Sequence, residues 1–440
     1  MTTHPRQPTR FLGHRAVIKC LVASACIAWV CNALAADDIG KQVAELVEQL
    51  DAGRNQARQS AEDQLIALGI EAIDHLPAMD GNTPREVRMR LTRIRKLLET
   101  QAAAEASQSS LVTLDGSYEL AEALEAIHAQ TGNRIVDYRQ RFGQPADKIE
   151  VHLSLDNSPF WVAIQQLMER ADLSIYPYSG EPRAISLISS DPSAIRATAY
   201  WSSDQAFRFA AVRAVAQRDF RDVRQTSLRL AVEVMWEPRL TPIVLRVPLG
   251  RIQATDDQGR PILVTAESEV LETPVQSTVP TVVLNIPVEL PRRDVHMIRQ
   301  LQGEISAIVP GRHTTFEFGE LDKSHDMSKT QGAVTVTVVA TGANGPVLEV
   351  RILVEYDRAF DALDSHRAWI YENEVFLRSE EKERTEHSGY EVYQRGENQV
   401  GLSYKFVALE DLEGQTLVYR TPATLSVQRL RFDLKDIPLP

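Results

Sequence analysis

The chain has 440 residues, 43% hydrophobic and 25% charged, an ordinary globular balance that excludes disordered and fibrous classes. Its 60 acidic against 48 basic side chains give a net charge of -12, which repels phosphate backbones and argues against nucleic acid as a partner. The length allows roughly three domains at ~150 residues each.

Residues 1–35 carry Arg6, Arg10, Arg15 and Lys19 and no acid. An apolar run follows from Cys20 to Cys31 and closes on Ala33-Leu34-Ala35, an A-x-A cleavage site. This is the pattern of a secretory signal peptide cut after Ala35. Its apolar core, about 12 residues, is too short to span a bilayer. An uncleaved anchor is one alternative. Another is lipid attachment at Cys26 in Ala23-Ser24-Ala25-Cys26, where the usual preceding Leu is missing. Cleavage would remove all three cysteines and move the net charge from -12 to -16 through the loss of four cations. The expected mature protein is periplasmic or secreted. It has no thiol, no disulfide, no Cys-ligated metal and no integral membrane span. The closing Ile437-Pro438-Leu439-Pro440 is a poor final strand for an outer-membrane barrel, because proline cannot donate to a ladder.

Residues 36–106 show helical spacing in Val43, Leu46, Val47 and Leu50, in Ala61, Leu65 and Leu68, and in Val87, Leu91, Ile94 and Leu98. Thr83 and Pro84 mark a helix start. About sixty residues here, including Leu50-Asp51, Arg58, Ala61-Glu62, Leu65, Leu68-Gly69 and Pro84-Glu86-Val87-Arg88, resemble a HEAT-type helical hairpin, which implies docking on a neighbour. Residues 101–110 are small and polar and read as a linker.

Residues 111–190 predict the order β-α-β-β-α-β-β. Leu111–Leu114 opens as a strand, and Leu120, Leu124 and Ile127 stripe a helix closed by Thr131-Gly132-Asn133. Ile149, Val151, Leu153 and Leu155 alternate with polar residues. Ser158 and Pro159 start a helix carrying Trp161, Ile164, Leu167 and Met168, and Leu173–Tyr178 with Ala184–Ser189 closes as a hairpin. Through Leu124-x-x-Ile127-x-x-Gln130-Thr131-Gly132-Asn133, Val151-x-Leu153-x-Leu155-Asp156-Asn157, Ala163-Ile164-x-x-Leu167-Met168 and Leu173-Ser174-Ile175, these 80 residues of 440 resemble the small periplasmic (STN-like) domain that opens secretins and TonB-dependent receptors. The resemblance implies a docking module without catalytic residues. No secretin ring or receptor barrel pattern follows it.

From residue 195 the period becomes two. Leu228–Trp236, Val282–Leu290, Val334–Val338, Leu348–Val354 and Val400–Phe406 alternate, and Leu425 with Val427 does likewise. Asp256-Asp257-Gln258-Gly259 and Thr341–Pro346 are turns. Phe207–Arg218 is read as a strand, and Asp294–Leu301 (Val295, Ile298, Leu301) as a short helix. Two antiparallel β-sandwich domains are predicted, over 195–325 and 331–440, with the boundary in the polar stretch Leu321–Gln331. This half resembles modules of uncharacterised secreted bacterial proteins through Trp236-Glu237-Pro238-Arg239-Leu240, Ser365-His366-Arg367-x-Trp369 and Phe432-x-Leu434 to Pro440. The whole is expected to be multidomain α+β: signal peptide, helical segment, small α+β domain and two sandwiches.

Catalytic motifs are missing from the sequence: there is no G-x-S-x-G, P-loop, G-x-G-x-x-G or H-E-x-x-H. His313, Glu317, Glu320, Asp322, His325 and Asp326 form a polar cluster, and Asp322-x-Ser324-x-Asp326 has the oxygen spacing of a calcium loop. The loop lacks its glycine, and Val334 stands where the bidentate Glu belongs. Asp357, Asp361, Asp364, His366, Arg367 and Trp369 form a second set, open to a carboxylate pair acting on a sugar or to a salt-bridged turn. Trp236-Glu237-Pro238-Arg239 reads as a core Trp, a strand stop and a surface Glu–Arg pair, with a binding hot spot as the alternative. Glu380–Glu386 reads as a solvated hairpin tip. The expectation is therefore an exported, non-enzymatic envelope protein, with no catalytic residue, cofactor or metal assigned, that binds other envelope proteins. A carbohydrate- or calcium-binding sandwich is the alternative.

Overall fold

A strand with apolar side chains at every second position is stable only when a second layer covers that face. The computed structural model shows how these layers pair. It describes residues 38–77, 83–191, 200–218, 220–222, 226–265, 268–275, 278–321, 326–344, 347–364, 367–380, 382–407 and 414–440. The protein is mixed α/β, with mostly antiparallel strands. It divides into two units, Met1–Leu98 and Glu99–Pro440. The signal-peptide and Cys26 readings lie outside the described residues.

In the first unit, helices over 38–49 and Asn55–Ala67 precede a 3₁₀ turn, Gly69–His75. The helix Arg85–Ala106 begins in this unit and ends in the second. Val43, Leu50, Leu65, Ile94 and Leu98 are fully buried. Glu62, only 1% exposed, accepts from Arg90 at 2.5 Å and from Arg93, so its buried charge is paired twice.

The second unit opens with strand Leu111–Glu119, antiparallel to Glu150–Pro159. A separate sheet places Ala184–Ser189 between Arg134–Asp137, which is parallel to it, and Leu173–Ile175, which is antiparallel. Helices Leu120–Thr131 and Phe160–Ala171 cover a core of Leu120, Ile127, Leu153, Trp161, Ile164 and Leu187. The first helix starts in a capping box between Glu119 and Glu122 and stops at Gly132, whose φ of 70° suits a left-handed cap. The second is capped at Pro159, with no side-chain cap from Ser158. A one-turn helix, Arg139–Phe142, was not anticipated.

Beyond residue 200 two pairs of sheets each enclose a core. In the first pair, one sheet runs Thr281–Val288, Ser227–Trp236, Phe207–Gln217, Trp201–Asp204. The other is organised on Met297–Pro310, which takes Gln253–Asp256 and Val244–Pro248 along one edge. Phe207, Phe209, Trp236, Leu245, Leu301 and Phe432 lie between the sheets. In the second pair, His313–Phe318, Thr416–Pro422 and Glu374–Arg378 face the sheet of Met327–Gln331, Val334–Asn344, Val347–Tyr356, Gln399–Val407 and Gly389–Arg395. Phe316, Phe318, Val336, Ile352, Tyr404 and Tyr419 fill its core.

Three sequence expectations change. Residues 294–301 do not form a helix: Met297–Pro310 is a strand, and a register shift opposite Thr255 and Asp256 turns both Ile298 and Leu301 inward, mimicking helical spacing. The polar stretch at 321–331 contains the strand Met327–Gln331. The C-terminal strand Leu425–Pro438 leaves the second pair and runs antiparallel to Met297–Pro310, so Leu430, Phe432 and Leu434 belong to the first core. The predicted cut between 195–325 and 331–440 is therefore crossed twice. Met297–Pro310 continues into His313–Phe318 while Thr416–Pro422 continues into Leu425–Pro438, and one antiparallel ribbon runs through both cores.

The ribbon bends at Gly311–Arg312 and Ala423–Thr424, where Gly311 N–H donates to Thr424 O (2.8 Å) and Ala423 N–H to Arg312 O (2.7 Å). Gly332 packs onto this bend with φ of 62°, and a Cβ there would lie 2.5 Å from Ala423 O. Gly332→Ala is expected to cost at least about 1–3 kcal/mol in urea unfolding, through strain and a backbone clash. An unchanged midpoint would contradict this account of the bend.

Candidate functional sites

Glu237 follows the strand Ser227–Trp236, and its side chain is fully buried. Oε1 accepts from Ser110 N–H (2.8 Å) and the Ser109 hydroxyl (3.2 Å). Oε2 accepts from the Ser110 hydroxyl (2.6 Å), Asn133 Nδ2 (2.8 Å) and Arg239 Nε (2.7 Å). The Arg239 guanidinium also donates to Ala106 O and Gln108 O, and Arg239 N–H reaches Asn133 Oδ1 at 3.1 Å. This corrects two readings. The Glu–Arg pair is not on the surface. Residues 101–110 are not a loose linker either: the helix continues to Ala106, and the serines after it solvate a buried carboxylate. Trp161 Nε1–H donates to Ala206 O (3.0 Å) beside this junction, and Glu237 N–H donates to the same carbonyl (3.0 Å).

The first suspected cluster is dispersed. His313 and Glu317 share a strand, but Glu317 pairs with Arg378 at 2.9 Å. Desolvation, with Arg420 and Arg183 nearby, pushes the His313 pKa down. Glu320 and Asp326 occupy left-handed turns at φ 50° and 56°, while Asp322 and His325 lie outside the described residues. Among the described residues no group of three or more His, Cys, Asp or Glu is placed to hold a metal ion.

The second cluster is a salt-bridged turn. Asp361 Oδ2 takes Arg246 at 2.9 Å, and Asp364 Oδ2 lies 3.4 Å from Arg367. Arg367 also pairs with Glu272 at 2.9 Å and donates to Asp361 O. Asp357 N–H donates to Ala333 O, Trp369 Nε1–H donates to Ala362 O at 2.6 Å, and His366 lies outside the described residues. At the 380–386 tip, Arg384 pairs with Glu374 at 2.5 Å and with Glu386.

Sequence reading missed two features. A cleft of about 220 Å³ opens beside the ribbon bend, and its lining includes Ile243, Val275, Trp369, Arg183, His313 and Arg367. Arg367 and Trp369 are close in sequence, but the others come from four separate stretches, so no local pattern joins the six. On the small α+β fold, Tyr138, Phe142, Tyr176 and Tyr178 form a surface aromatic cluster. Tyr176 stacks on Tyr138 at 5.9 Å and meets Phe142 and Tyr178 edge-on at 4.9 and 5.9 Å. Tyr178 is 79% exposed. Arg134 and Arg141 converge beside it on Glu181. The aromatic spacing in Tyr176-Pro177-Tyr178 was the available signal.

No protein-family model matches this chain, and neither does any curated protein.

Glu237→Ala is expected to cost about 3–5 kcal/mol, because Arg239 and Asn133 would be left buried without their acceptor. Glu237→Gln should cost nearly as much, since its amide nitrogen would face donors. Guanidinium unfolding checks both, and a loss below 1 kcal/mol for each would show the carboxylate to be dispensable.

Proposed function

We propose that this chain is an exported, non-enzymatic envelope protein, with the small α+β fold as a docking module and the two sheet pairs as sandwich domains that carry it. The observation that supports docking most directly is the cluster of Tyr138, Phe142, Tyr176 and Tyr178. A tyrosine held 79% exposed forgoes burial that a partner would restore. Tyr and Arg are the side chains most enriched at energetic centres of interfaces, and rings braced on one another lose little entropy on binding. The Arg134–Glu181–Arg141 group supplies a polar rim. In this reading residues 1–35 direct export and are removed, and the partners are other envelope proteins.

A second reading, carbohydrate binding, is favoured by a separate platform. Tyr371 and Tyr390 stack at 5.1 Å and 11°, with the Arg395 guanidinium 5.7 Å from the Tyr371 ring. Such rings can carry the apolar face of a sugar.

The mature protein and its Phe142→Ala/Tyr178→Ala variant are to be compared as bait in envelope extract. One defined partner captured by the parent, and at least about tenfold less by an equally stable variant, is the expected result. Equal capture would reject the aromatic surface. Calorimetry with cell-wall glycans, repeated on Tyr390→Ala, decides the second reading; no heat at millimolar glycan removes it.

A further inference from the structure

We propose that the cleft at the ribbon bend is a binding site for a small organic monocarboxylate, the carboxylate held by Arg183 and Arg367 and the apolar body lying against Trp369, Ile243 and Val275. The charge of the walls is the first argument. In a chain of net charge -12, the cations lining this cleft are Arg183 and Arg367 against one acid, Glu372. Arg367 already pairs with Glu272 and Asp364, which leaves Arg183 as the cation without an ion pair among the described residues. The second is an incomplete buried cation. Arg367 is 3% exposed; its Nη groups meet Glu272, Asp364 and the Asp361 carbonyl, yet its Nε has no acceptor among the described residues. A buried guanidinium N–H left without an acceptor is costly, and a ligand oxygen would supply one.

The third argument is preorganisation. Arg183 sits at φ 49°, a left-handed conformation unusual for a side chain of this size, and its N–H is tied to Thr278 O at 2.8 Å. Pro242, Pro274, Pro310 and Pro422 line the cleft and fix its backbone, and the Trp369 indole is anchored on Ala362 O. Burial first, and Arg420 and Arg183 second, push the His313 pKa down, so this wall side chain favours its neutral form. At about 220 Å³ the cleft is below the ~300–1,000 Å³ of drug-sized sites, so its occupant is small. The Arg183 guanidinium can present the fork that matches a planar carboxylate, while Arg367 adds its single Nε–H.

Calorimetry on the full mature chain at low salt uses N-acetyl-L-phenylalaninate as the probe, its neutral amide as control and inorganic phosphate as competitor. The acid is expected to bind saturably at one site, the amide at least about tenfold more weakly. Arg183→Ala, an exposed position whose loss should leave thermal stability unchanged, should weaken the acid about tenfold. The Trp369 indole resonance, assigned through Trp369→Phe, should shift with the acid alone. Absence of binding, equal binding of acid and amide, an unaffected Arg183→Ala protein, or displacement by equimolar phosphate would overturn the proposal. None of these outcomes bears on the aromatic docking surface, which involves other residues.

Discussion

A carboxylate with no exposure to water must be surrounded by hydrogen-bond donors, because stripping its oxygens of water is costly unless protein groups replace that water. Glu237 meets that requirement with donors from Ser109, Ser110, Asn133 and Arg239. All of these except Arg239 come from the small α+β fold or the stretch entering it, 104 to 128 residues earlier in the chain. The same arginine closes the Ala106 and Gln108 carbonyls at the end of the long helix. A single charged group thereby dictates how the α+β fold abuts the strand Ser227–Trp236. Apolar contact alone tolerates sliding; a carboxylate needing several donors at once tolerates one arrangement. Its contribution is specificity of placement more than net stability, because desolvating the ions offsets much of their attraction.

The ribbon applies a comparable constraint to the two sheet pairs. Strands joined by one flexible connection can reorient. Here two connections cross at the same place and are hydrogen-bonded to each other, through Gly311 to Thr424 and Ala423 to Arg312. Bending between the cores would require breaking a ladder that continues on both sides of the bend. A cleft at such a place keeps its dimensions, which is why walls contributed by both sheet pairs can be treated as one preorganised surface.

Local patterns were legible where one face of an element is buried and the other wet. Val334, Val336 and Val338 alternate in the sequence and are fully buried in the strand Val334–Asn344. Leu120, Leu124 and Ile127 likewise mark the inner face of their helix. Phe207–Gln217, with helix-forming alanines but alternating phenylalanines, is a strand because pairing with Ser227–Trp236 outweighs propensity. The spacing of Ile298 and Leu301 misled because a register irregularity adds one residue between two inward side chains. The destination of Leu425–Pro438 was hidden for another reason: alternation marks a strand but not its partner, and either core would accept it.

The chemically informative residues were legible as types and illegible as groups. Asp361, Asp364 and Arg367 lie within seven residues, and their proximity reads as a possible reactive set. Folded, each acid is occupied by an arginine, Asp361 by Arg246 from a different strand. Serines 109 and 110 show the reverse: they look like spacer composition and act as ligands of a buried charge. The distinction follows from range. Hydrophobic period is a property of ten consecutive residues, whereas satisfaction of a charge is a property of whatever the chain brings within 3 Å of it. In a protein built of layers crossed by a returning strand, those neighbours come from far away, and so do Arg183, His313 and Arg367 at the cleft. A polar residue here acquires meaning only from the partners that the fold, not the local sequence, assigns to it.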